Sequence, residues 1–341
     1  MDQIAPTEDT AAPNEPFEDR SKGYYLDSFL APLAGVLSRD DVTDIYINRP
    51  NEIWVEAVGG EITRHDVQGL TEADLARLSR QIAAASAQGI NRNHPLLAAN
   101  LPDGSRVQIV APPATRAGHA IAIRRHVVSR FSLSDWAEDG AFEHLGKSVK
   151  LERLPPRTHR TLDGEEAETY LRQAVLGRKN ILVAGGTSTG KTTFLNALLA
   201  EIPKSERLIL IEDSEELQIA HENAVGLISV RGRLGESDAS AEDLLIAALR
   251  MRPDRIILGE LRGIEAFTFM RAINTGHPGS ITTIHADTPF RAIEQLVLLV
   301  VQASNLKRDD ARHYILQSVD VFVQLERRDG QRRVAQIMVA E

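Results

Sequence analysis

Apolar positions along the chain change period partway through. Between residues 24 and 128 they come in short alternating runs: Ile45 and Ile47, then Ile53 and Val55, with Gly59-Gly60 as a hairpin turn before Ile62. Behind Thr71, a fitting N-cap, Leu75, Leu78 and Ile82 recur at helical spacing. Two further strands, 107–110 and 120–123, flank a Pro-Pro loop. This is the pattern of an α+β unit. The segment 26–37 has the spacing of an amphipathic helix, suited to a core or, less commonly, to a lipid surface.

Periodicity weakens from Ser129 to Asp163, a stretch that contains Pro155-Pro156 and room for one short helix at 133–138. Asp163 and Glu166 then form a capping pair for a helix whose apolar face is Ala167, Tyr170, Leu171, Ala174 and Val175. After it, short apolar strands at 181–184, 208–211, 256–258 and 280–284 alternate with helical stretches, which predicts a mostly parallel sheet covered on both faces. A terminal hairpin, 321–325 and 334–339, turns at Asp329-Gly330. The expected division is a tail at 1–22, an α+β domain at 23–146, a linker at 147–163 and an α/β domain at 164–341. The tail carries Asp2, Glu8, Asp9, Glu15, Glu18 and Asp19 among prolines and alanines, too little apolar surface to offset its ordering entropy, so it is expected to be disordered.

Composition narrows the function classes. The 341 residues are 43% hydrophobic and 26% charged, ordinary for a globular chain with room for two cores. With no cysteine, disulfides and thiolate zinc sites are excluded. No run approaches the ~18–20 apolar residues of a bilayer span, and residues 1–16 lack the features of a signal peptide. A cytoplasmic location fits. The net charge of −9 argues against stable nucleic-acid binding, which needs a positive surface.

The chemistry gathers in the second half. Gly185-Gly186-Thr187-Ser188-Thr189-Gly190-Lys191-Thr192 matches the full phosphate-loop pattern, between an apolar strand and the helix that begins near Thr193. Its glycines let successive N–H groups face phosphate oxygens, Lys191 neutralises the β- and γ-phosphates, and Thr192 holds Mg²⁺. ATP and Mg²⁺ are therefore the expected cofactors, and hydrolysis the expected reaction. Glu260 ends an apolar strand where a Walker B acid belongs, to hold the metal shell or orient water. Glu212 and Asp213 follow another strand and are candidates for the same work, while Glu215 and Glu216 can equally begin the next element. His285 closes a fourth strand and can donate to a γ-phosphate oxygen; a lone strand-end histidine is more commonly structural. His277, in the turn before that strand, joins the nucleotide-contact candidates.

Three blocks carry a resemblance. The run from Leu249 through Arg252-Pro253-Asp254 to Gly259-Glu260-Leu261-Arg262-Gly263 looks like the Walker B block of the secretion ATPase superfamily. Ile211-Glu212-Asp213-Ser214-Glu215-Glu216-Leu217 is similar to its Asp box, and the run from Gly276-His277-Pro278-Gly279 to His285-Ala286 to its His box. Leu101-Pro102-Asp103-Gly104-Ser105-Arg106 and Ile121-Ala122-Ile123-Arg124 extend the likeness less distinctly into the first domain. The absence of a four-cysteine module favours the VirB-type traffic ATPases of type IV secretion and conjugation, with tight-adherence and type IV pilus ATPases as close alternatives. Ser188 and Thr189 stand where the family often has Gly and Ser.

The resemblance implies a RecA-like second domain and a PAS-like first domain. It also implies a homo-oligomer, a hexameric ring peripheral to the cytoplasmic face of the inner membrane. Inner-membrane secretion-channel proteins and coupling ATPases would be its partners, and its hydrolysis would drive substrate translocation or pilus assembly. It places charge-stabilising arginines at the end of the first domain, where Arg124 is the best match and Arg106 the second; spacing alone would make both surface salt-bridge partners. Two other classes stay in view. A nucleic-acid motor would need a basic channel with stacking aromatics, which 5% aromatic content does not favour, although Arg124-Arg125-His126 and the arginines at 327, 328, 332 and 333 could form patches. A nucleotide-gated scaffold would bind without needing turnover.

Overall fold

The computed structural model describes residues 21–58, 60–125, 132–143, 145, 159–229, 239–328 and 330–340. Residues 1–20 of the expected tail and 147–158 of the expected linker lie outside them.

The first domain begins with α1 (Ser21–Leu30), a 3₁₀ turn (Ala31–Leu33) and α2 (Ala34–Leu37). β1 (Val42–Ile47), β2 (Glu52–Ala57) and β3 (Ile62–Asp66) follow, then α3 (Glu72–Ala85), β4 (Leu96–Asn100), β5 (Arg106–Val110) and β6 (Ala120–Arg124). The strands form one antiparallel sheet in the order β3-β2-β1-β6-β5-β4. Alternation explains its buried face: Ile45, Ile47, Ile53, Val55, Val107, Ile109, Ile121 and Ile123 pack with Leu75, Leu78 and Ile82 of α3. Thr71 caps α3 in a capping box with Asp74. Leu26, Leu30 and Leu33 join this core, so the amphipathic segment faces protein.

The second domain contains α4 (Leu133–Glu138), β7 (His159–Thr161), α5 (Gly164–Leu176), β8 (Ile181–Gly185), α6 (Lys191–Ala200), β9 (Leu208–Glu212) and β10 (Ala224–Ile228). Then come α7 (Ala241–Ala248), β11 (Arg255–Leu261), α8 (Glu265–Asn274), β12 (Ile281–His285), α9 (Pro289–Gln302), α10 (Arg308–Ser318), β13 (Val321–Arg328) and β14 (Gln331–Ala340). Its sheet runs β10-β9-β11-β12-β8-β13-β14-β7. Every pairing from β10 through β13 is parallel, and β14 and β7 are antiparallel additions at the edge. Side chains alternate between two cores. Ile181 and Val183 of β8 pack with α5 and α6, while Leu182 and Ala184 pack with the layer of α8, α9 and α10. A continuous apolar run in each strand is what burial on both faces requires.

One boundary moves. Leu133, Trp136, Ala141, Phe142 and Leu145 sit in the same core as Phe194 and Leu171 of the second domain. Trp136 meets Phe194 edge to face at 5.0 Å between ring centres. These five residues thus pack with the second domain, although the sequence places them before a linker at 147. Capped by Ser132, α4 buries Leu133 and Trp136 in this core.

At the edge of the sheet where β11 starts, Arg255 is fully buried. Its Nε and Nη2 each lie 2.8 Å from an oxygen of Glu206, and Nη1 donates to Val175 O at 2.7 Å.

Candidate nucleotide site

Because β8, β9, β11 and β12 run parallel, their C-terminal ends emerge together, and the residues after them share one edge. A cleft of about 670 Å³ opens there. This edge lines it together with Thr43, Asp44, Arg106 and Arg124 of the first domain. Thr187, Ser188, Thr189, Gly190, Lys191, Thr192 and Thr193 line it together with Gly186, Glu212, Asp213, Glu260 and His285.

The loop after β8 is shaped by two close approaches. A Cβ on Gly185 would fall 2.4 Å from Thr189 Oγ1. Gly190, the N-cap of α6, has φ 92° and lies against Trp136 and Arg332, so only glycine fits without strain. Ser188 also adopts a left-handed φ of 60°, a conformation uncommon for a residue other than glycine. Lys191 Nζ donates to Gly185 O at 2.8 Å and Gly186 O at 3.0 Å, so its ammonium lies within the loop it serves. Burial holds its pKa below the usual lysine range, and the charge of Glu260 opposes that.

The acids divide into two groups. Glu212 is buried, and its Oε2 accepts from the backbone N–H groups of Glu216 and Leu217 at 2.8 and 2.9 Å. Burial pushes its pKa up to about 7 against the pull of those two donors. Glu216 is the acid that reaches the loop: its Oε2 accepts from Thr192 Oγ1 at 2.9 Å, and its Oε1 lies 2.7 Å from Arg106 Nε. In the second group, Arg262 pairs with Glu260 and, at 2.7 Å, with Asp213, which also accepts from Ser229. Thr283 Oγ1 on β12 donates to Gly259 O at 2.7 Å, fixing the backbone just before Glu260.

His285 stands exposed at the end of β12 on the cleft. Buried Gln324 holds the next residue through Nε2 to Ala286 O at 3.1 Å. His277 is a correction: it precedes β12 at the opposite edge of the sheet, a strand of roughly 17 Å away from His285, and it does not line the cleft. Its ring nitrogen lies 3.4 Å from Ala272 O, a local turn contact.

The oxygen-rich lining suits Mg²⁺, a hard cation that keeps water and phosphate oxygens among its ligands. Among the described residues no three His, Asp or Glu side chains converge to hold a metal by themselves. Thr192 Oγ1 with nucleotide oxygens is the fitting first ligand set, and Glu260 lies on the same cleft. Beyond the expected residues, Glu216, Asp44, Trp136 and Arg332 also line the cleft. Trp136 is buried, its Nε1 has no partner among the described residues, and no sequence motif marks it. Arg327 and Arg332 of the terminal arginine runs face each other across β13 and β14 and line the cleft.

The chain matches the family described as type II/IV secretion system protein over residues 29–329. It is 37% identical to the type IV secretion system protein VirB11 of Bartonella henselae over 324 residues, 90% of this chain and 91% of that one. To the type IV secretion system protein PtlH homolog of Bordetella bronchiseptica it is 39% identical over 321 residues, 92% and 94% of the two chains. The X-ray structure of the Legionella pneumophila ATPase DotB is similar in fold, with a TM-score of 0.56 and 20% identity, covering 96% of this chain and 83% of that one.

Proposed function

The chain belongs to the type II/IV secretion system protein family, and from that membership and the cleft we propose that it hydrolyses Mg-ATP to power substrate translocation or pilus assembly in a type IV secretion machine. One observation carries the reading. A complete phosphate loop, with Lys191 and Thr192 in place, faces Glu260 and His285 from its own sheet and Arg106 and Arg124 from the other domain. Phosphoryl transfer asks a protein mainly for position and charge, and these groups supply both. Mg²⁺, bound by Thr192 and phosphate oxygens, would offset charge on the transferred group. Lys191 neutralises phosphate, Glu260 or Glu212 orients water, and Arg124 meets charge gathering on the γ-phosphoryl oxygens.

The relatives named for type IV secretion cover almost the whole chain, which favours that machine over a nucleic-acid motor. Among the described residues no helix is long and apolar enough to cross a membrane, so attachment at the cytoplasmic face of the inner membrane would run through channel proteins and coupling ATPases. A homo-hexameric ring, with domain motion driven by turnover, completes the proposal. Phosphate release by Lys191→Ala tests it: the variant folds as wild type by circular dichroism, binds ATP weakly and releases no phosphate. Near-normal turnover in a folded variant would remove this loop from the reaction.

A further inference from the structure

Thr192 is the loop residue suited to Mg²⁺, and its hydroxyl carries one proton and two lone pairs. A hydroxyl that ligates a cation must direct its proton elsewhere, to an acceptor that turns the lone pairs toward the metal. A Walker B acid is the expected acceptor, yet the carboxylate of Glu260 is paired with Arg262. Glu216 accepts that proton instead, with Oε2 at 2.9 Å from Thr192 Oγ1.

Glu216 is held from several directions. Its N–H donates to Glu212 at 2.8 Å, and its carbonyl accepts from Asn196 Nδ2 at 3.0 Å. Asn196 lies on α6, one turn beyond Thr192, and accepts in turn from Gln218 N at 2.9 Å. The second carboxylate oxygen, Oε1, lies 2.7 Å from Nε of Arg106, which begins β5 in the other domain. One carboxylate therefore spans from the metal-ligating hydroxyl to a guanidinium of the first domain.

We propose that Glu216 is a positioning residue that orients the Thr192 hydroxyl for Mg²⁺ and ties that orientation to the first domain through Arg106. The proposal rests on the reading of the cleft as an Mg-ATP site. It makes metal affinity at the phosphate loop depend on where the first domain stands. Movement of that domain withdraws Arg106, loosens Glu216 and weakens the metal's hold without touching Lys191.

Binding of ADP to the full chain, measured by calorimetry with Mg²⁺ and again with EDTA, tests this apart from turnover. The wild type binds ADP more tightly with Mg²⁺. Glu216→Ala and Arg106→Ala each reduce that enhancement on the order of tenfold, a larger loss than either causes in metal-free ADP affinity. The double variant is no worse than Glu216→Ala, because the two side chains act in series. Arg106→Lys, which keeps the charge, retains most of the enhancement. Arg106 is a partly exposed strand-end residue, so its variants also test the link if Glu216→Ala folds poorly. An unchanged enhancement in Arg106→Ala overturns the proposal. So does an equal loss with and without metal, which would make these groups plain phosphate contacts or structural supports. A wild-type chain that binds ADP in neither buffer overturns the ATP-site reading itself.

Discussion

Arg124 at the end of β6 lies 2.9 Å, through Nε, from Oδ1 of Asp44, its direct partner on β1. Asp44 is buried and both residues line the cleft. Burial pulls the Arg124 pKa down, but the Asp44 hydrogen bond and charge outweigh it and leave the pKa raised, so this cation keeps its proton. If Arg124 meets charge in the transition state, Arg124→Ala lowers kcat on the order of 10³-fold at saturating ATP. Asp44→Asn acts only through aim and costs up to about 10²-fold. Wild-type kcat in Arg124→Ala would return it to a surface ion pair.

Glu260→Gln preserves size and removes charge. Turnover should fall by roughly 10²-fold while ADP affinity changes little. A lowered melting temperature with unaltered kcat would instead mark Glu260 as a structural partner of Arg262. Both quantities are measured on one preparation.

Glu212 links pH to stability. Its folded pKa, about 7, stands above its ordinary value of 4.5 because it is buried. Between those values the folded chain binds more protons than the unfolded chain, so this group's contribution to stability falls as pH rises from about 4.5 to about 7. The loss amounts to something on the order of 3 kcal/mol. Glu212→Gln removes the titration, and its urea midpoints at pH 5 and pH 8 should converge relative to wild type. An unchanged pH dependence would show that another group sets it.

The Arg255–Glu206 pair tests the far edge of the sheet. Glu206→Ala leaves a fully buried guanidinium without its carboxylate, at a cost of about 3 kcal/mol in urea denaturation. ADP affinity should hold, since the pair sits at the strand starts and the cleft at their ends. A loss below about 0.5 kcal/mol, the range of ordinary surface substitutions, would contradict the burial.

The phosphate loop was legible because its parts are contiguous: an apolar strand, a loop of fixed spacing and a helix. The parallel sheet was legible for the same reason, since each strand is a local apolar run. β4 escaped because Leu-Leu-Ala-Ala-Asn carries little strand propensity and buries only Leu97 and Ala99. Glu216 escaped because four acids within five residues look alike until a turn decides which one reaches α6. His277 misled through nearness in sequence to His285: a motif can be continuous while the strand inside it carries its two ends to opposite edges. Asp44 gave no signal at all, as its role comes from cross-strand register with a residue 80 positions away.

The packing of α4 and of Ala141, Phe142 and Leu145 determines how this protein can be dissected. Cutting at Asp163 looks safe from the prolines and the helix that follows, yet it strips Leu133, Trp136, Ala141, Phe142 and Leu145 from the core around Phe194. Such a fragment would expose an apolar seam beside the phosphate loop. Its poor turnover would report damage to its own interior as much as the missing arginines of the other domain. A fragment that begins before Ser132 keeps the seam closed, and only with that one does removing the first domain become a clean subtraction.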